Sequence, residues 1–301
     1  MKIVTFHPAD GGRPHTGALL AATGEILDFV CEAADLPEAE HDLEWFDLAG
    51  PCLPAAEELH RAAVSEPSRL DALRRAGAVV PRASVRLCAP VPHPRKVICI
   101  GLNYKDHAAE SGMDIPERPL VFSKFPTSVV GPGEFVELPP GSEQVDYEAE
   151  LGVVIGREAR RVSVSSAYDY VLGYMNVNDV SARDFQFADG QWQRGKSCDT
   201  FAPCGEYIAT KDEIPDPQKL AIRFRLNGRT LQDSNTDQLI FSVPEIVSFL
   251  SQTVTLEPGD VIATGTPPGV GFARTPPVWV KSGDTMEVDI EGLGVLSNPV
   301  R

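Results

Sequence analysis

Three groups of residues in this 301-residue sequence have types and spacings that suit chemistry. The first is Glu148-Ala149-Glu150, which runs straight into the apolar stretch Leu151-Gly152-Val153-Val154-Ile155. Residues i and i+2 of a strand point to one face, so Glu148 and Glu150 present two carboxylates side by side. Like charges this close are costly unless a cation lies between them. Asn178-Asp179 closes the apolar run Val171–Val177 and could supply a third oxygen ligand. The second group is His107 and Glu110, three apart and therefore on one face of a helix. A carboxylate beside an imidazole orients it and raises its basicity, giving a general base able to activate water. The third is Arg183 with Lys196, candidate cations for an acidic substrate or a developing oxyanion. Each group also has a plainer reading from spacing alone: a solvated strand end, an exposed ion pair on a helix, and surface charge.

Every histidine lies at or before residue 107, so a metal held in the second half of the chain must use oxygen ligands. That favours Mg²⁺ or Mn²⁺ over Zn²⁺, with octahedral positions left for water and substrate.

The elements that must position these groups are short strands. β-type runs recur at Lys96–Gly101, Leu120–Phe125, Glu148–Ile155, Val171–Val177, Leu220–Leu226, Val261–Gly265 and Met286–Ile290. Turn signals such as Gly131-Pro132-Gly133, Asn227-Gly228 and Pro258-Gly259-Asp260 separate them. Among these strands only a pair of helices stands out, at 103–111 and at 242–251, the latter opened by the capping box Ser242-Val243-Pro244-Glu245. Strands outnumber helices without alternating with them, which argues against a doubly wound parallel sheet and for a β-rich α+β domain. Ahead of it, residues 1 to about 35 read as a β-meander with turns at Asp10-Gly11-Gly12 and Thr23-Gly24. Residues 54–76 read as two short helices, interrupted by Pro67 and with the second opened by Ser68-Arg69-Leu70-Asp71. The predicted organisation is a small N-terminal α/β accessory domain over 1–80, a Pro-rich linker over 81–94 and a catalytic domain over 95–301.

Composition bounds the function. With 43% hydrophobic and 23% charged residues the chain can bury a sizeable core, and its net charge is −16. The segments before and after residue 95 are each net acidic. Such a field repels phosphate backbones, so nucleic-acid binding is not expected. No run approaches the roughly 20 apolar residues of a membrane span, and the first residues lack a signal-type apolar region. The six cysteines form no C-x-x-C pair, which suits reduced thiols in the cytoplasm.

Two glycine-rich segments imitate nucleotide loops. Gly190-Gln191-Trp192-Gln193-Arg194-Gly195-Lys196-Ser197 fits the P-loop pattern, but no buried strand precedes it and Pro203 and Gly205 follow where a helix is required. Gly265-Thr266-Pro267-Pro268-Gly269-Val270-Gly271 lacks dinucleotide spacing and reads as a tight turn after a strand.

Taken in order, Gly101-Leu102-Asn103-Tyr104-Lys105-Asp106-His107-Ala108-Ala109-Glu110, Glu148-Ala149-Glu150-Leu151, Asn178-Asp179-Val180-Ser181-Ala182-Arg183-Asp184, Gly195–Pro203 and Gly265–Gly271 resemble the fumarylacetoacetate hydrolase family over about 95–301. The resemblance implies a mixed β-sandwich roll, a homodimer, and one Mg²⁺ or Mn²⁺ per subunit on Glu148, Glu150 and Asp179. It implies a water-activating dyad of His107 and Glu110, with Lys196 near the metal. It places Arg183, Gln186 and Thr266, and more weakly Lys124, at the 2-oxo-acid end of the substrate. There is one departure: the founding enzyme's further Asp ligand, seven residues before the dyad histidine, is Ile100 here. The resemblance is therefore to the smaller domain-containing branch. The implied activity is metal-dependent hydrolysis of the C3–C4 bond of an acylpyruvate, such as fumarylpyruvate or acetylpyruvate, to pyruvate and a carboxylic acid. Alternatives on the same site are oxaloacetate decarboxylation or tautomerisation and 2-hydroxyhepta-2,4-diene-1,7-dioate isomerisation. An alternative of another class is a non-catalytic 2-oxo-acid-binding protein.

Overall fold

A computed structural model of the chain describes residues 1–9, 11–31, 34–36, 46–188 and 190–301. Asp10, at the first expected turn of the meander, lies outside the described residues. The fold is strand-rich α+β. Among the described residues eleven strands form one mixed sheet, and Ala149–Ile155 and Val171–Asn178 lie at its middle. These two are antiparallel, with Ala149 opposite Asn178 and Glu150 opposite Val177. Val261–Ala263 follows on the other side of Ala149–Ile155, then Val97–Gly101 and, at the edge, Leu120–Lys124.

Both faces of the central strands are covered, which is why Leu151–Ile155 is a continuous apolar run. Ala149, Leu151, Val153 and Ile155 pack with Ile222, Phe224, Val288 and Ile290 of a second sheet. That sheet has four strands, in the order Arg229–Asn235, Ala221–Leu226, Thr285–Ile290 and Gly294–Pro299. Tyr147, just before the central strand, stacks on Phe224 at 4.0 Å and 3° and fastens the two sheets. Val154, Leu172 and Met175 face the other way, onto Leu53, Ala56 and Leu59 of the helix Cys52–Ser65.

The expected N-terminal strands occur at Lys2–His7, His15–Leu20 and Glu25–Asp28. They extend the large sheet, because Lys2 and Ile3 pair with Ala209 and Ile208. The proline-rich segment is tied along the same strand: Phe6 pairs with Leu87, and the Thr5 hydroxyl donates to the Pro90 carbonyl at 2.8 Å. Pro67 does not interrupt a helix. It starts one, Pro67–Arg75, at the position where its missing N–H costs nothing, so Ser68 is not the cap. The helix Val243–Ser251 does open with its capping box, the Ser242 N–H donating to Glu245 at 2.8 Å. Of two short helices that the sequence did not announce, Arg183–Ala188 precedes the segment that resembled a P-loop and Gln193–Lys196 lies within it. Here a helix stands where the phosphate loop needs a strand.

Candidate active site and metal centre

The central register builds the site. With Ala149 opposite Asn178, the ends of two strands meet, and the Asp179 N–H donates to the Glu148 carbonyl at 2.9 Å. Glu148, Glu150 and Asp179 are brought together, one carboxylate oxygen of each lying within 4.8 Å of the others, and each residue is 7% exposed or less. The plainer reading, a solvated strand end, is thereby excluded. Three carboxylates this close would hold one hard divalent cation, for which oxygen donors are the preferred ligands.

Cationic side chains surround the carboxylates. Lys196 Nζ donates to Glu148 at 2.7 Å and to Asp179 at 2.9 Å. Arg183 spans Asp146 at 2.9 Å and Glu148 at 2.6 Å, and donates to Gln186 at 3.0 Å. Lys124 ion-pairs with Asp179 and donates to the Val180 carbonyl at 2.9 Å. Burial disfavours the Glu148 anion, but Lys196 and Arg183 overcome it and hold the carboxyl down at about 2. Glu150 is the opposite case. Burial, with Asp179 and Glu148 beside it, pushes its carboxyl well above the usual range, against the charge of Lys196 and the Gly265 N–H at 2.7 Å. Four buried carboxylates (Asp146, Glu148, Glu150 and Asp179) thus face three buried cations (Lys124, Arg183 and Lys196). The imbalance falls on Glu150, at the triad itself. A divalent cation would remove it, so the residues present fit one, and their all-oxygen donor set suits Mg²⁺ or Mn²⁺.

The dyad lines the same cavity, of about 450 Å³, as Glu148 and Glu150. His107 and Glu110 sit on the helix Lys105–Ser111, with Nδ1 of His107 3.1 Å from the Glu110 carboxylate. The Gly269 N–H donates to both Glu110 oxygens at 3.0 and 3.1 Å. Gly269 has φ +101°, and a Cβ there would stand 2.1 Å from the Leu231 carbonyl oxygen. Only glycine lets this turn approach so closely. The segment read as a tight turn thus contributes two backbone donors, Gly265 to the triad and Gly269 to the dyad.

His107, Glu110, Glu148, Glu150, Arg183, Gln186, Lys196 and Thr266 all line the cavity. Thr266 is engaged, donating to the Ala149 carbonyl at 3.0 Å and accepting from Gln232 at 2.8 Å. Lys124 lies behind the site, its side chain fully buried against Asp179.

Sequence reasoning passed over Asp146, Gln232 and Ser234. Asp146 accepts from Arg183 and from the N–H groups of Gly271, at 2.6 Å, and Phe272, at 3.1 Å. Its signal was present as the alternation Asp146-Tyr147-Glu148-Ala149-Glu150. Gln232 accepts from the Ala149 N–H at 2.9 Å and donates to Thr266 and to the Pro267 carbonyl, joining strand to turn.

Comparison with known proteins decides the lineage. Residues 96–301 match the family model described as fumarylacetoacetate (FAA) hydrolase C-terminal. The chain belongs to this family. The mitochondrial oxaloacetate tautomerase fahd2 of Xenopus laevis is 40% identical over 302 residues, covering 100% of this chain and 90% of that protein. Among solved structures, 2-hydroxyhepta-2,4-diene-1,7-dioate isomerase from Mycobacterium marinum aligns with a TM-score of 0.75 at 34% identity, over 100% of this chain and 98% of that one. Fumarylacetoacetate hydrolase from Exiguobacterium antarcticum aligns with a TM-score of 0.78 at 35% identity, over 100% and 99%. The tautomerase and isomerase names favour the alternatives weighed from the sequence over acylpyruvate hydrolysis. Among the described residues no helix is long and apolar enough to cross a membrane.

Proposed function

We propose that this family member is a divalent-metal-dependent tautomerase of 2-oxo acids, interconverting keto and enol forms of a substrate with an acidic C–H beside its oxo group. Oxaloacetate is the example that the relatives' names supply. The observation that carries the reading is that His107, engaged through Nδ1 by Glu110, opens into the same cavity as Glu148 and Glu150 of the triad. A divalent cation held by Glu148, Glu150 and Asp179 supplies positive charge against the negative charge that develops on the 2-oxo oxygen. Lys196 and Arg183 aim two of those carboxylates, Glu148 and Asp179, and the Gly265 N–H fixes the third. With Nδ1 occupied, Nε2 of His107 is the atom that takes the C3 proton of the keto form. Glu110 faces the imidazolium so formed, and the proton returns to the 2-oxo oxygen to give the enol. No carbon–carbon bond breaks and no water is consumed.

Hydrolysis of an acylpyruvate would add attack of water at C4 and scission of C3–C4, and decarboxylation of oxaloacetate would release CO₂. One experiment separates these. Oxaloacetate in its enol form is diluted into EDTA-stripped protein with and without Mn²⁺, following loss of the enol and appearance of pyruvate, with acetylpyruvate in parallel. Manganese-dependent enol loss without pyruvate is expected. Pyruvate from acetylpyruvate would return the assignment to hydrolysis, and pyruvate from oxaloacetate would move it to decarboxylation. Glu150→Gln should lose Mn²⁺ binding and turnover together, and unchanged turnover in that variant would overturn the ligand set.

A further inference from the structure

The Gly265–Gly271 turn reaches both halves of the site, through the Gly265 N–H to Glu150 and through the Gly269 N–H to Glu110. Gly269 is itself held from behind, by Tyr147 and Arg274. Among the described residues neither of these lines the cavity. The Gly269 carbonyl oxygen accepts from the Tyr147 hydroxyl at 3.1 Å and from Arg274 Nε at 3.0 Å. Nε also donates to the Tyr147 hydroxyl at 3.2 Å, so the three groups close a triangle. Arg274 Nη2 donates to the carbonyl of Leu231, in the strand Arg229–Asn235.

That Leu231 carbonyl is the one a Cβ on Gly269 would meet at 2.1 Å, and the same Cβ would stand 3.2 Å from Arg274 Nη2. Turn and strand are thus pressed together backbone to backbone, and one guanidinium serves the carbonyl oxygens of both. A rigid planar fork of donors suits two acceptors at fixed angles, and a lysine ammonium does not. Tyr147 is fixed in turn, fully buried and stacked on Phe224. Held at its carbonyl and pressed against Leu231, Gly269 has little freedom left in where its N–H points. That N–H meets both oxygens of Glu110, whose carboxylate lies 3.1 Å from His107 Nδ1. The dyad helix has seven residues and no side-chain bond at its N-terminal cap, so the aim of Glu110 has to come from outside it.

Resting on the tautomerase reading above, we infer that Arg274 is a positioning residue for the proton transfer. It acts through Gly269, which aims Glu110, which sets the ring of His107. Tyr147 is the second member of the clamp.

The test is a double-mutant cycle on Mn²⁺-dependent loss of oxaloacetate enol. Arg274→Ala should lower kcat about tenfold, within what misplacing a catalytic group costs, and leave KM and Mn²⁺ affinity unchanged. Arg274→Lys should recover only part of the loss, since an ammonium cannot serve both carbonyls in the same geometry. Tyr147→Phe keeps the stack on Phe224 and should lower kcat about threefold, which preserves the test if Arg274→Ala folds poorly. Added to His107→Ala, Arg274→Ala should lower kcat no further, because the group it positions is gone. A full additional loss in that background, an unchanged kcat in Arg274→Ala alone, or weakened Mn²⁺ binding overturns the inference. A second readout needs no turnover. In protein labelled with ¹⁵N-glycine, amide hydrogen exchange at Gly269 should quicken in Arg274→Ala toward its rate in Glu110→Ala. Exchange as slow as in the unaltered protein overturns the clamp and leaves the tautomerase reading standing. Quickened exchange in a protein whose unaltered form turns over no oxaloacetate enol does the reverse.

Discussion

The floor and the roof of the cavity are built on different principles. In the floor, Asp146, Glu148, Asp179, Lys124, Arg183 and Lys196 are all buried and joined into one ion-pair network. In the roof, His107 and Glu110 stand on a seven-residue helix, too short to hold itself. Two side-chain hydrogen bonds tie it down, from the Ser234 hydroxyl to Asp106 at 2.6 Å and from the Gly269 N–H to Glu110. A floor that must hold charge at fixed distances gains from a network in which moving one member strands another. A roof that carries only a proton needs orientation alone, and can be held lightly.

Breaking the floor should produce the largest effect. Asp146→Ala takes one of two carboxylates from Arg183 and orphans the Gly271 and Phe272 N–H groups. Urea unfolding should show a loss of about 3–5 kcal/mol, the range for removing one partner of a buried pair. A loss below about 1 kcal/mol would mean that water reaches the network and that the floor is no more rigid than an exposed ion pair. His107→Ala tests the roof by function. It should lower kcat for enol loss about 100-fold, or about 2.7 kcal/mol, by removing the proton carrier. Mn²⁺ affinity in a direct titration should not change, since the histidine is not a member of the triad. Weakened Mn²⁺ binding would merge the two regions into one.

How far each region was legible in the sequence follows from how it is held. The central strands and the triad were readable because a strand alternates its side chains, and that period brings Glu148 and Glu150 to one side without tertiary information. The dyad was readable for the same reason at helical spacing. Asp146 shared the alternation with Glu148 and Glu150 but stood outside the apolar run and was passed over. The strand Arg229–Asn235 was missed because Arg-Thr-Leu-Gln-Asp-Ser-Asn has almost no apolar residues. Its Gln232 and Ser234 work by hydrogen bonding, which leaves no hydropathy signal. The preceding Asn227-Gly228 turn, with φ +53° and +76°, was a hairpin signal that called for a partner strand there. The pairing of residues 2–3 with 208–209 is a contact across two hundred residues, and no local pattern announces it.

Ser234→Ala gives the smallest effect and the sharpest comparison. The hydroxyl donates to Asp106 Oδ2, while Oδ1 of the same carboxylate accepts the His107 N–H at 3.0 Å. Asp106 also lies in the first turn of its helix, where the positive end of the peptide dipoles favours a negative charge. Without Ser234 the carboxylate keeps those two interactions and, being partly exposed, gains water in place of the third. The net cost should therefore be that of an ordinary hydrogen bond, about 1 kcal/mol. It should fall on the roof alone: kcat/KM should drop about fivefold as the dyad helix loses one of its ties, with Mn²⁺ affinity and the urea midpoint nearly unchanged. If the midpoint instead falls as far as it does in Asp146→Ala, the helix belongs to the cooperative core, and the light attachment of the proton carrier is refuted.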